Sequence, residues 1–132
     1  MYLFLDYSLL VAHSALVLFA VTGWIWARTR RLHLTAVVLI WISWVGLGFY
    51  YGFGYCVCTD WHWQVKRRLG ETRLPNSYIK YYLDRLTGVD WDRLAVDGLV
   101  VGCAVAALGL SLWLNGRDWR RARSGGNTDG NA

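Results

Sequence analysis

Charged side chains divide this sequence into long uncharged stretches. Residues 7–27, between Asp6 and Arg28, contain no Asp, Glu, Lys or Arg. The same holds for 32–59, between Arg31 and Asp60, and for 98–116, between Asp97 and Arg117; the three runs are 21, 28 and 19 residues long. A helix needs about 20 apolar residues to cross ~30 Å of hydrocarbon. Inside a bilayer the backbone must satisfy its own hydrogen bonds, so only helices and closed barrels span it. These runs are continuously apolar and lack the alternation of barrel strands. The pattern predicts an all-α integral membrane bundle, one domain over residues 1–123, with spans at about 7–27, 33–55 and 95–115. The first run is expected to be a permanent span rather than a signal peptide, since it has no basic leader and no small-residue cleavage site. Trp24 and Trp26 beside Arg28 suit an aromatic belt at its end.

The polar stretch 60–97 has helical periodicity of its own. Trp61, Val65 and Leu69 share one stripe of a helix at about 60–69, which Gly70 would end. Ile79, Tyr82, Leu83 and Leu86 recur at helical spacing over about 77–87, with Asn76 or Ser77 as cap, Lys80–Asp84 as an ion pair and Gly88 as stop. Two short amphipathic helices between spans two and three are expected to lie flat at the membrane interface or to cap the bundle, with Trp61, Trp63, Tyr78 and Tyr82 as an interfacial cap. Gly48 and Gly52 on span two, and Gly98, Gly102, Ala106 and Gly109 on span three, are small-residue ridges where helices are expected to pack closely. The tail 124–132 reads as disordered.

Composition agrees with the pattern. Hydrophobic residues make up 55% of the 132 and charged ones 17%, with a mean hydropathy of +0.25; a soluble domain has roughly 25% charged residues to cover its surface. Charge is also segregated. Seven arginines (28, 30, 31, 117, 120, 121 and 123) face Asp118 and Asp129 on one side, net +5. On the other side seven bases balance seven acids. The dense arginines are expected to place residues 28–31 and the C-terminus in the cytoplasm, and the N-terminus and 56–97 in the periplasm or exterior. Basic residues that flank spans point to lipid headgroups as partner and not to nucleic acid.

Candidate chemistry is sparse. Cys56, Cys58, Asp60 and His62 lie within seven residues and carry ligand-type side chains suited to zinc, copper or another thiolate-bound metal. A labile disulfide or plain packing beneath tryptophans are the other readings of the thiols. His13 lies inside the first span, where an ionisable group is costly and marks a functional candidate; Asp97 could reach a similar depth and pair with it, and a neutral histidine bonded to a carbonyl or Tyr hydroxyl of a neighbouring helix is the other reading. His33 lies at the opposite end, so haem held by two histidines of one chain is not supported. Hydrolase, P-loop and dinucleotide motifs are absent.

Several segments carry a resemblance. These are His13-Ser-Ala-Leu-Val-Leu-Phe19, Leu32-His-Leu-Thr-Ala-Val37, Gly54-Tyr-Cys56 with Thr59, the basic run Lys66–Arg68, and Tyr78-Ile-Lys-Tyr-Tyr-Leu83. The chain resembles the small bacterial inner-membrane proteins grouped as domain of unknown function twenty-seven eighty-four. That resemblance implies the topology above and singles out His13, His33, Cys56, Thr59, Tyr78 and Leu83, without naming a reaction. The chain departs from the pattern in having Cys58, in Asp60-Trp-His62 where a Pro-containing segment with a Glu is usual, and in Tyr81 where a His is common. The first functional expectation is an accessory or structural subunit of a larger membrane complex, with other subunits or copies of itself as partners. The alternatives are a metal- or thiol-based redox protein using Cys56, Cys58 and His62, and a lipid- or quinone-binding protein.

Overall fold

A computed structural model describes residues 1–125 and is helical throughout, with no strand among the described residues. The order is α1 Tyr2–Thr22, α2 Arg30–Tyr51, α3 Val57–Arg68, α4 Tyr78–Thr87 and α5 Arg93–Gly125. Helices α1, α2 and α5 are long and apolar enough to cross a membrane. Their boundaries differ from the expected spans for local reasons. Helix α1 stops at Thr22, before Trp24 and Trp26, because residues 23–29 fold into a locked link. Thr29 donates its hydroxyl to the Gly23 carbonyl at 2.7 Å and Arg30 Nε donates to the Trp24 carbonyl at 3.2 Å. Gly23 has to be glycine here: a Cβ would sit 2.7 Å from Phe19 Cε2 and 2.9 Å from His33 Cδ2.

Helix α2 contains one widened π turn, Ser43–Leu47, and ends at Gly52 in a left-handed conformation, φ 101°. Ser43 donates to the Tyr55 carbonyl at 3.0 Å and ties the following turn back to the helix. Helix α5 runs well beyond the expected span, through Ser124 and Gly125; the rest of the tail expected to be disordered lies outside the described residues. Helices α2 and α5 pack along Ala107, Ser111 and Leu114. The expected glycine ridge does not pack, because Gly98, Gly102 and Gly109 lie off that contact face, and a methyl group at any of them would meet nothing within 4 Å.

The short helices begin and end close to where the sequence places them. Ser77 caps α4 by accepting from the Lys80 amide at 3.4 Å, and Gly88 closes it at φ 70°. Lys80 pairs with Asp84 at 2.5 Å, as expected, and also with Asp90. Their buried faces, however, are not the apolar ones. Helix α3 buries Thr59, His62, Trp63 and Lys66 and leaves Trp61 exposed, while α4 buries Tyr78 and Tyr81 and leaves Leu86 exposed.

Candidate functional site

The reason for this inversion lies on α1. Asp6, Leu10 and His13 follow one another at four- and three-residue spacing, and Ser14 lies four residues after Leu10, so they share one face of an otherwise apolar helix. Helices α3 and α4 fold down over that face and meet it with polar and aromatic groups. His62, with no exposed side-chain area, donates from Nε2 to Asp6 Oδ1 at 2.8 Å. Lys66 Nζ, also buried, lies 3.1 Å from the same oxygen. The Tyr78 hydroxyl lies 3.4 Å from the Leu10 carbonyl and 3.3 Å from Ser14 Oγ. A phenol has one proton, so when it donates to Leu10 the Ser14 hydroxyl donates to it. The Tyr78 ring stacks on His13 with centroids 3.9 Å apart.

The network continues across the cap. Lys66 lies 3.6 Å from Glu71, and Tyr81 donates its hydroxyl to Glu71. Arg85 donates to the Tyr81 oxygen at 2.6 Å and to Glu71 at 3.4 Å. Trp63, Tyr78 and Tyr81 form the small apolar core beneath, and the Trp63 indole donates to the Pro75 carbonyl at 2.8 Å. Two acids and two fixed bases thus neutralise one another around the neutral His62.

Burial pushes His62 below its ordinary value, only partly opposed by the Asp6 carboxylate beside it. Burial would lower Lys66 too, but Asp6, Tyr81 and Glu71 together hold its ammonium above the usual lysine range. The Tyr81 hydroxyl, then Lys66 and Arg85, hold Glu71 below the usual carboxylate range against the effect of burial. With Nε2 donating to a carboxylate, neutral His62 has an unprotonated Nδ1. That nitrogen has no hydrogen-bond partner among the described residues, and neither has His13 Nδ1.

A second polar node closes the other end. His33, fully buried, lies 2.9 Å through Nε2 from the Ala20 carbonyl and 3.0 Å through Nδ1 from Ser111 Oγ. A carbonyl only accepts, so Nε2 carries the proton and Nδ1 accepts from Ser111. Asn115 donates to the Arg30 and Ser111 carbonyls, at 3.1 and 2.8 Å, and Arg30 pairs with Asp118 at 2.8 Å. His33 is saturated and joins three helices.

Several expectations are corrected by these positions. Asp97 does not pair with His13; it pairs with Arg93 at 3.4 Å, one turn away on its own helix. Asp6 is the carboxylate that meets a buried histidine, and that histidine is His62. The candidate metal cluster does not assemble either. His62 turns towards Asp6, Cys56 and Cys58 are free thiols, and no three His, Cys, Asp or Glu side chains among the described residues could hold a metal ion. Burial, and then the neighbouring Cys56, push the Cys58 thiol up, away from the thiolate that ligation or redox exchange uses. Of the four cap aromatics, Trp63 and Tyr78 are core residues and Tyr82 is half-buried, while Trp61 is exposed. Sequence reading missed Asp6, Lys66, Glu71 and Tyr81. Asp6 looked like the border of an apolar run, and Lys66 like one of three solvated bases.

A family model matches residues 3–116 of the chain, which takes in nearly all of α1, the whole of α2 to α4, most of α5, and both polar nodes except Asp118. The chain belongs to the family described as Protein of Unknown function (DUF2784). Neither the curated proteins nor the solved structures contain a match to it. Within this DUF2784 chain, His13, Thr59 and Tyr78 are buried in or beside the cap node, and His33 forms the second node.

Proposed function

We propose that this protein is a small accessory or structural subunit of a larger membrane assembly. The observation that carries the reading is how little of the long helices the chain covers for itself. Only 6, 11 and 17% of the apolar windows of α1, α2 and α5 are buried. The interior is held by two polar nodes, and most of the apolar side chains point outward, to lipid or to other helices. Gly98, Gly102 and Gly109 leave an open groove on α5 where a neighbouring backbone could approach closely. Trp61 and Leu86, exposed on the cap helices, suit an interfacial position there. The test is Gly102→Ile in the full chain, extracted in mild detergent. It should leave the melting transition unchanged, because nothing lies near Gly102 to clash, and should dissociate the native assembly seen by mass spectrometry. A protein that extracts as a lone monomer, indifferent to this change, would refute the proposal.

The lipid- or quinone-binding reading is favoured by a separate observation, the Nδ1 atoms of His13 and His62, unpartnered among the described residues, on two rings that both contact Tyr78. A buried polar atom without a partner costs about 1–3 kcal/mol, which a hydrogen-bonding headgroup would recover. Organic extraction of the purified protein should then yield a quinone or lipid in stoichiometric amount, lost on His13→Phe.

A further inference from the structure

The end of the molecule away from the cap is a collar of arginines, most of them without an ion pair among the described residues. Asn115 and Asp118 of α5 bond to Arg30 of α2, so the α1–α2 link and the C-terminal turns of α5 lie side by side. Asp118, the acid at this end among the described residues, is occupied by Arg30 at 2.8 Å and approached by Arg117 at 3.7 Å. Arg28, Arg31, Arg120, Arg121 and Arg123 are exposed, and none forms an ion pair with a described residue. The opposite end is different in its balance: its seven bases are matched in number by seven acids. Lys66, Lys80, Arg85 and Arg93 form ion pairs there, while Arg67, Arg68 and Arg73 are exposed without one among the described residues.

The aromatic residues around the collar give it a direction. Trp26, Trp113 and Trp119 are each more than half exposed. Arg117 lies over the Trp113 ring at 5.3 Å, and Arg123 over Trp119 at 3.8 Å. An indole beside a guanidinium, at the end of an apolar helix, matches the glycerol and phosphate layer of a bilayer, where rings and cations both find partners. Helix α5 is about 50 Å long at 1.5 Å per residue, well beyond ~30 Å of hydrocarbon. Its last turns, from Arg117 onward, therefore have to extend into or past the headgroups.

We propose that this collar is a binding site for anionic phospholipid headgroups, which supply the negative charge that the described residues do not. A guanidinium pairs with a phosphate through two parallel N–H bonds, so several arginines within a few turns can hold a headgroup with more than charge alone. Free phosphate would satisfy the guanidiniums but not the tryptophans, and the lipid is the occupant that meets both.

The experiment uses the full chain in neutral detergent, titrated with brominated phosphatidylglycerol or phosphatidylcholine, with quenching of tryptophan fluorescence as the readout. Phosphatidylglycerol should bind more tightly, and its preference should fall as sodium chloride rises. At roughly five-fold per arginine near a charged surface, the Arg120→Gln/Arg121→Gln/Arg123→Gln variant should lose more than about ten-fold of that preference. Arg67→Gln/Arg68→Gln, at the charge-balanced end, should keep it. The proposal is overturned if the collar variant retains the preference, if the Arg67/Arg68 variant loses it equally, if salt has no effect, or if inorganic phosphate displaces the lipid.

Discussion

Replacing Asp6 with Asn tests whether one carboxylate holds the cap onto α1. Asp6 takes a hydrogen bond from His62 at 2.8 Å and faces Lys66 at 3.1 Å, with only 15% of its own side chain exposed. Asparagine is nearly isosteric and keeps an acceptor oxygen that can still serve His62, so the change removes mainly the charge opposite Lys66. Deleting one partner of a buried ion pair costs roughly 3–5 kcal/mol. Two features reduce that here: Asp6 retains some contact with solvent, and Glu71 remains 3.6 Å from Lys66. The expected loss is about 2 kcal/mol, a factor of roughly 30 in the unfolding equilibrium. The assay is equilibrium unfolding in mixed micelles of rising denaturing-detergent fraction, followed by tryptophan fluorescence. Adding Lys66→Met to Asp6→Asn removes the stranded cation and should recover half or more of the loss, since the two residues are coupled. If Asp6→Asn is silent, or if the double variant is as unstable as the two single changes summed, then the carboxylate does not hold the cap and the network is only a surface arrangement.

Stability should also depend on pH in a definite direction. His62 is held below its ordinary value of about 6.5, so its contribution is present above that pH and is lost as pH falls towards the lowered value. Glu71, held below the carboxylate range, adds to the acid loss, whereas Lys66, held above the lysine range, contributes until pH rises through its raised value. The expected curve is a plateau from about 6.5 to 10 with an acid limb that His62→Gln shortens; an acid limb identical in that variant would refute the assignment. At the other node, Gly23→Ala drives a methyl group to within 2.9 Å of His33 and should cost about 1–3 kcal/mol in the same assay, while a neutral result would mean the link is not tightly packed. Cys58 should react with maleimide more slowly than a free thiol, with a rate still rising above pH 9 or so, as followed by intact-mass spectrometry. Rapid modification at neutral pH would indicate a thiolate and reopen a redox role.

What the sequence determined was the gross plan. Runs without charge of about 20 residues have one solution in hydrocarbon, and the predicted helices appear, three of them long and apolar enough to span. Caps and stops such as Ser77 and Gly88 were legible because they act on neighbouring residues through the backbone. The buried faces of α3 and α4 were not legible, since apolar periodicity predicts burial only where the surface they cover is itself apolar. Asp6, 56 residues from His62 in the chain, makes that surface polar, and no local pattern records the pairing. The same limit made Cys56, Cys58 and His62 look like one cluster: they are adjacent along the chain, but the fold turns the histidine towards α1. Composition and spacing settle which segments are helices. Only the packing of α3 and α4 onto α1 settles which polar groups lose water together, and it is that shared loss of water that makes Asp6, His62 and Lys66 a unit.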